Sequence, residues 1–313
     1  MTRTFTLTNR ADRYVQDLIA DRVGATINGL AGDDQIVLNR DDDLGGGNRV
    51  NAGGGRDVVD NFIEQGSVIR LQGGDDVYLG RGFGSFATDA PDLVTGGAGN
   101  DIFAFETFKS VYRGDRGNDT FISVGWQNRI AGGRGSDTID YSRRDQDSTQ
   151  GGTGVSIDLA AGEVATGASR IERLVSIENA IGTGVDDEIS GTTGANRLTG
   201  GGGADFLQGL GGADVFVYTD AGDGAIFDGV VDLIADFSRA EGDRIDLDAV
   251  DADANRRGNQ DFTFSANSTF SGRAGEMIFA EGLVLADRNG DAEVDFAIDM
   301  NGLASMTAGD FLL

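Results

Sequence analysis

Gly182-Thr-Gly-Val-Asp-Asp187-Glu-Ile-Ser190 is followed without a gap by Gly191-Thr-Thr-Gly-Ala-Asn196-Arg-Leu-Thr199, Gly200-Gly-Gly-Gly-Ala-Asp205-Phe-Leu-Gln208 and Gly209-Leu-Gly-Gly-Ala-Asp214-Val-Phe-Val217. The sixth residues, Asp187, Asn196, Asp205 and Asp214, recur every nine positions. Upstream the same frame ends on Asp34, Asp57, Asp76, Asp101, Asp119 and Asp137. Across these ten units the residue two after the sixth is always apolar: Ile36, Val59, Tyr78, Phe103, Phe121, Ile139, Ile189, Leu198, Leu207 and Phe216. The residue two before it is Gly in nine of the ten, Val185 being the exception. A merely acidic, salt-adapted surface predicts neither regularity. A fixed short period signals a solenoid, in which each unit buries its apolar side only by stacking on the next.

Each unit divides into a six-residue turn and a three-residue strand. Gly belongs in the turn because it accepts positive φ and lets a carbonyl face inward without a Cβ clash. The strand points alternate side chains inward. Two units complete one coil of 18 residues, so the fold expected is all-β: a parallel β-roll with a C-terminal β cap. Composition agrees, with 51 Gly, one Pro and 39% hydrophobic residues; collagen needs a strict three-residue period and abundant Pro.

The net charge is −27, and the acids are 42 Asp against 10 Glu. Such a chain repels nucleic-acid phosphate and anionic lipid, so neither is an expected partner. Asp competes with a helical backbone, whereas short oxygen-bearing side chains in loops suit a hard divalent cation. With no Cys and no His, disulfides and the usual zinc sites are excluded. No stretch approaches the 18 or so apolar residues of a membrane span.

Gly96-Gly-Ala-Gly99-Asn-Asp101, Gly132-Gly-Arg-Gly135-Ser-Asp137 and Gly200-Gly-Gly-Gly203-Ala-Asp205 match G-G-x-G-x-D in full, and Gly114-Asp-Arg-Gly117-Asn-Asp119 matches it closely. From about residue 27 to its end the chain resembles the RTX family, whose nonapeptide repeats bind calcium. The resemblance implies several Ca2+ ions, each between turns of successive coils, with these glycines and the sixth-position residues as the metal-site candidates. Calcium takes six to eight oxygens, more than one turn supplies. The spacing stacks Asp101, Asp119 and Asp137 on one edge, and places Asp187 under Asp205 and Asn196 under Asp214 on opposite edges. Asn196 interrupts the carboxylate series, and Val185 the glycine series.

The expected organisation is an N-terminal cap over 1–26, an irregular roll over 27–140, an insert continuing the sheet over 141–181, a regular roll over 182–225, and a C-terminal cap with a secretion signal over 226–313. Spacings of 23, 19 and 25 between early sixth positions place inserted loops at Asp41–Asp43 and Gly82–Pro91. Val155–Leu159 and Leu174–Ile181 read as strands. Asp232-Leu-Ile-Ala-Asp-Phe237 followed by Gly242-Asp-Arg-Ile-Asp-Leu247 resembles the C-terminal region of serralysin-type proteases. Phe262, Phe264 and Met277–Phe279 offer apolar strands to cover the last coil, whose open end would otherwise be unpaired. Asp287, Asn289, Asp291 and Asp295 bear oxygens at positions 1, 3, 5 and 9 of a compact calcium-type loop; Ile298 stands where an EF-hand needs Glu.

The N-terminus shows no apolar signal segment. The final Asp310-Phe-Leu-Leu313 resembles the uncleaved type I secretion signal of serralysin relatives. The expectation is therefore a secreted, extracellular protein that meets the type I machinery through its C-terminus and folds on calcium outside the cell. On the order of eight to ten ions would offset 16–20 charges. Three roles stay open: a structural or adhesive protein of the bacterial surface or matrix, with self-assembly or a surface glycan as partner; a calcium or secretion carrier; and a carboxylate-based hydrolase. Without His neither H-E-x-x-H nor a His-based triad is available, so the non-catalytic readings are favoured. Trp126 and Tyr141 are the aromatic candidates for a glycan site.

Overall fold

The computed structural model describes residues 3–16, 24–38, 46–63, 65–82, 90–144, 152–167, 170–226 and 229–313. The expected loop at Asp41–Asp43, most of that at Gly82–Pro91, and residues 145–151 lie outside them. The protein is all-β, a parallel β-solenoid. Its chain divides into two compact units, Met1–Arg143 with Gly162–Ile177, and Arg144–Ala161 with Glu178–Leu313.

In the first unit every coil contributes one strand to each of two sheets. One sheet runs through Thr4–Thr6, Thr26–Asn28, Arg49–Gly54, Val68–Gly73, Leu93–Ala98, Val111–Arg116, Arg129–Arg134 and Ile171–Val175, all parallel. The other runs through Arg13–Val15, Gln35–Leu38, Val58–Asn61, Val77–Gly80, Ile102–Phe105, Thr120–Ser123 and Thr138–Asp140. Alternation along each strand sends one row of side chains inward. Ile36, Val59, Tyr78, Phe103, Phe121 and Ile139 are all fully buried, and register stacks each on the next coil's equivalent. Phe103 and Phe121 lie ring on ring, 4.8 Å between centroids.

The second unit repeats the plan. Ser156–Asp158, Glu188–Thr192, Phe206–Leu210, Asp232–Ile234 and Phe296–Asp299 form parallel neighbours in one sheet. Asn179–Ile181, Arg197–Thr199, Val215–Val217, Arg244–Asp246 and Phe311–Leu312 form the other. Beyond the repeats the pairing turns antiparallel: Glu276–Ala280, Leu283–Asp287 and Phe296–Asp299 make a meander that closes one sheet. This is the cap anticipated from the apolar run at Met277–Phe279. The Leu174–Ile181 segment is two strands rather than one, Ile171–Val175 in the first unit and Asn179–Ile181 in the second. An unanticipated strand, Glu163–Ala165, pairs antiparallel to Ile171–Val175.

Candidate calcium sites

The sixth-position side chains form ladders. In the first unit the backbone N–H of each donates to Oδ1 of the next coil's aspartate: Asp34 to Asp57, Asp57 to Asp76, Asp76 to Asp101, Asp101 to Asp119 and Asp119 to Asp137, at 2.7–2.9 Å. All six are buried. The file is unbroken although the spacing between successive rungs varies from 18 to 25 residues, because the turn and strand around each rung are kept.

In the second unit two ladders run on separate edges. Asp187 donates to Asp205, and Asp205 to Asp232, both at 2.8 Å. Asn196 donates to Asp214, and Asp214 to Asp243, both at 2.9 Å. Asp232 and Asp243 extend the ladders beyond the nonapeptide frame, and sequence reading missed them. Asp232, 27 residues after its preceding rung, stays on the count of nine, and Asp243, 29 after its own, leaves it. Both lack the Gly two before, having Val230 and Glu241 there; the apolar residue two places on, Ile234 and Ile245, is the signal that would have found them.

The second carboxylate oxygen decides the chemistry. Oδ2 of Asp34, Asp57, Asp76, Asp101, Asp119, Asp205 and Asp232 is buried and has no hydrogen-bond partner. A buried charged acceptor left in that state costs more than the roughly 1–3 kcal/mol of a neutral one. The surroundings add carbonyls. A Cβ built on Gly96 would collide with Asp101 Oδ2 and come within 2.8 Å of the Gly114 carbonyl, so carboxylate oxygen and next-coil carbonyl converge on one point. Gly114 repeats this with Asp119 and Gly132, and Gly200 faces Asp205. At the fourth position, a Cβ on Gly99, Gly117 or Gly135 would strike the carbonyl of the glycine one coil earlier. Gly203 instead lies against the Val185 and Asp186 backbone, where the glycine series is interrupted.

Among the described residues no three acidic side chains gather at one point. Each turn offers one buried carboxylate among backbone oxygens, a donor set that fits a hard cation of high coordination number and poorly fits zinc. With no cation bound, burial pushes Asp76 and Asp119 up to about 6, Asp101, Asp214 and Asp232 to about 7, and Asp205 to about 8; neighbouring carboxylates add to the shift. Asp34, Asp57 and Asp243 are raised for the same first reason.

Residues 111–313 match the family Peptidase M10 serralysin C terminal. The chain belongs to that serralysin C-terminal family. Residues 26–44 and 86–106 match the RTX calcium-binding nonapeptide repeat, and no curated protein matches the chain. This serralysin C-terminal protein is thus a calcium-binding RTX protein of the type I secreted, extracellular class.

Two rungs of this serralysin C-terminal chain differ from the rest. The hydroxyl and amide of Thr183 both donate to Asp187 Oδ2, and those of Thr192 to Asn196 Oδ1. Thr stands there in place of the second Gly, and its donors satisfy an oxygen of the kind that other ladder turns leave without a protein donor. The opposite edge of the first unit has a counterpart built mainly from Asn and Ser. Asn48 donates to Ser67, Ser67 to Asp92, Asp92 to Ser110 and Ser110 to Asn128, at 2.6–3.2 Å. Asp92 Oδ2 there accepts the Asn61 amide at 2.8 Å.

In the Asp287–Asp295 turn, Asp287 is buried and accepts the N–H groups of Gly290 and Ala292 at 2.6 and 2.9 Å. Asp295 accepts from Arg288 and Asn289, and Asn289 from Asp291. Tyr141 is fully buried, its hydroxyl donating to Glu172 at 2.6 Å, which makes it a core residue. Trp126 packs on Phe108 and under the Arg170 guanidinium.

Proposed function

We propose that this chain is a non-catalytic structural or adhesive protein of the bacterial surface or extracellular matrix, folded by calcium after type I secretion. The observation behind this reading is that the buried carboxylate ladders run through both units, so each unit is organised around ion-binding turns. The sequence has no His, which leaves it without the metalloprotease motif and the His-based triads. The ligands we assign are the sixth-position carboxylates with the stacked turn carbonyls, Asp232 and Asp243 included; the Asp287–Asp295 turn is a further candidate.

Removing a rung tests the assignment. Asp101→Ala is expected to lower the number of ions counted by native mass spectrometry; an unchanged count would displace Asp101 from the ligand set. Negative-stain electron microscopy of the purified protein in millimolar calcium tests the role. Sheets or fibres are expected, and dispersed single particles at all concentrations would favour a soluble carrier or a soluble adhesin.

A further inference from the structure

Charge is divided unevenly between the two units. The second has eight arginines against 29 acidic residues, a net −21, whereas the first has 17 basic against 23 acidic, a net −6. Among the described residues, eight acids of the first unit are buried, the six ladder aspartates with Asp92 and Glu172, and nine of the second, its ladder aspartates included. The outward face of the first unit's longer sheet collects Arg49, Arg70, Arg113, Arg129 and Arg173, all exposed. Arg129 stands directly beside Arg173 in register, and Arg113 is diagonal to Arg129.

Like charges side by side on a sheet are destabilising. In a chain with two acids for every base, nothing in composition forces five arginines onto one face. Among the described strands of this sheet and its antiparallel neighbour, the exposed acids are Asp115 and Glu163, and only Arg173 is ion-paired, with Glu163. Between the arginines lie exposed aliphatics, Ile171 at 39% and Val175 at 63%; Val175 lines a shallow depression with Arg113 and Arg129. Arginine and apolar side chains without lysine is the composition of a protein interface, and a guanidinium pairs in bidentate fashion with carboxylates.

We infer that this arginine face is a docking surface for a second copy of the chain, which presents its acidic second unit. Charge complementarity decides the occupant, since the second unit keeps 17 described acids outside its buried set against eight arginines in the same sequence. Eight strands spaced about 4.8 Å apart give a face of roughly 600 Å², close to the lower limit per partner for a specific interface. The contact joins unlike surfaces. It is heterologous, so repeated addition yields a ring or an open filament. The inference rests on the scaffold reading above and names the surface through which assembly would proceed.

The test compares full-length wild type with Arg113→Glu/Arg129→Glu in saturating calcium by sedimentation velocity, at low and high salt. Both side chains point to solvent, and circular dichroism checks that the variant folds. Wild type is expected to associate with concentration and to dissociate in high salt. The variant is expected to need about tenfold more protein for the same association, two lost ion pairs being worth that factor. Mixed with wild type, it should shorten assemblies, because it still offers the acidic surface but accepts the next copy about tenfold more weakly. Assemblies that persist unchanged in the variant overturn this face and leave the scaffold reading standing. Wild type monomeric throughout overturns this face and the self-assembling form of that reading. Monomers that bind dextran sulfate in wild type and not in the variant would give the face to an acidic polymer instead.

Discussion

At the level of the single residue, the sixth-position aspartate has two oxygens with different tasks. Oδ1 accepts a backbone N–H and fixes the stack; Oδ2 is buried without a protein donor. The sign of the pH dependence follows. In chelator, a carboxyl such as Asp205, raised to about 8, holds its proton at neutral pH in the folded chain and loses it near 4 in the unfolded one. The folded form binds more protons, so this contribution to stability is complete below about 4 and is lost as pH rises through 6–8. Calcium-free protein should therefore hold more β structure at pH 5 than at pH 8 when followed by circular dichroism. Calcium affinity should increase over the same range, with protons released on binding in calorimetry; affinity independent of pH would contradict the burial of these groups. A backbone counterpart is Gly117, which has φ near +128° and whose added Cβ would meet the Gly99 carbonyl. Gly117→Ala should lower stability in calcium by at least about 2 kcal/mol in urea titrations.

At the level of the element, the two edges of the first unit are held by different means. One has aspartates; the other has Asn48, Ser67, Asp92, Ser110 and Asn128, which satisfy each other. This second file ends on Glu172, buried and accepting from Asn128, Ser123 and Tyr141 at 2.7, 3.0 and 2.6 Å. Glu172→Ala would leave those donors unpartnered and should cost on the order of 3 kcal/mol. The loss should be the same at any saturating calcium concentration, which a denaturation series would check. The sequence disclosed the aspartate file because an acid, a glycine two before it and an apolar residue two after it make a redundant signature. It concealed the other file because Ser and Asn are common in any turn. Counting nine onward from Asp101 and Asp119 does land on Ser110 and Asn128, but elsewhere inserted segments break the count. Asp232 and Asp243 escaped because Val230 and Glu241 stand where the repeat has Gly, whereas the capping strands were legible from their apolar runs.

At the level of the whole molecule, the sum of the charges weighs against folding in the absence of cations. Without cations the chain brings −27 into a compact form and buries many carboxylates, so self-repulsion and desolvation both oppose folding. Ions that bind only the folded form contribute their binding free energy to stability. A chelated sample at pH 8 should lack the β spectrum and regain it cooperatively on adding calcium, with magnesium a poor substitute because it demands a tighter octahedral shell. A spectrum indifferent to chelation would remove calcium from the folding reaction.

The ladders have a polarity. Every carboxylate reaches back to the amide of the coil before it: Asp137 serves Asp119, Asp119 serves Asp101, and Asp243 serves Asp214. Order in one coil thus presupposes the coil that comes later in the sequence. The rung nearest the C-terminus is the one with no later aspartate in its file, and folding that propagates from it toward the N-terminus is the expectation. Shortening the protein from its two ends is consequently unequal: trimming the first coil takes away only a recipient, while trimming the last takes away the template.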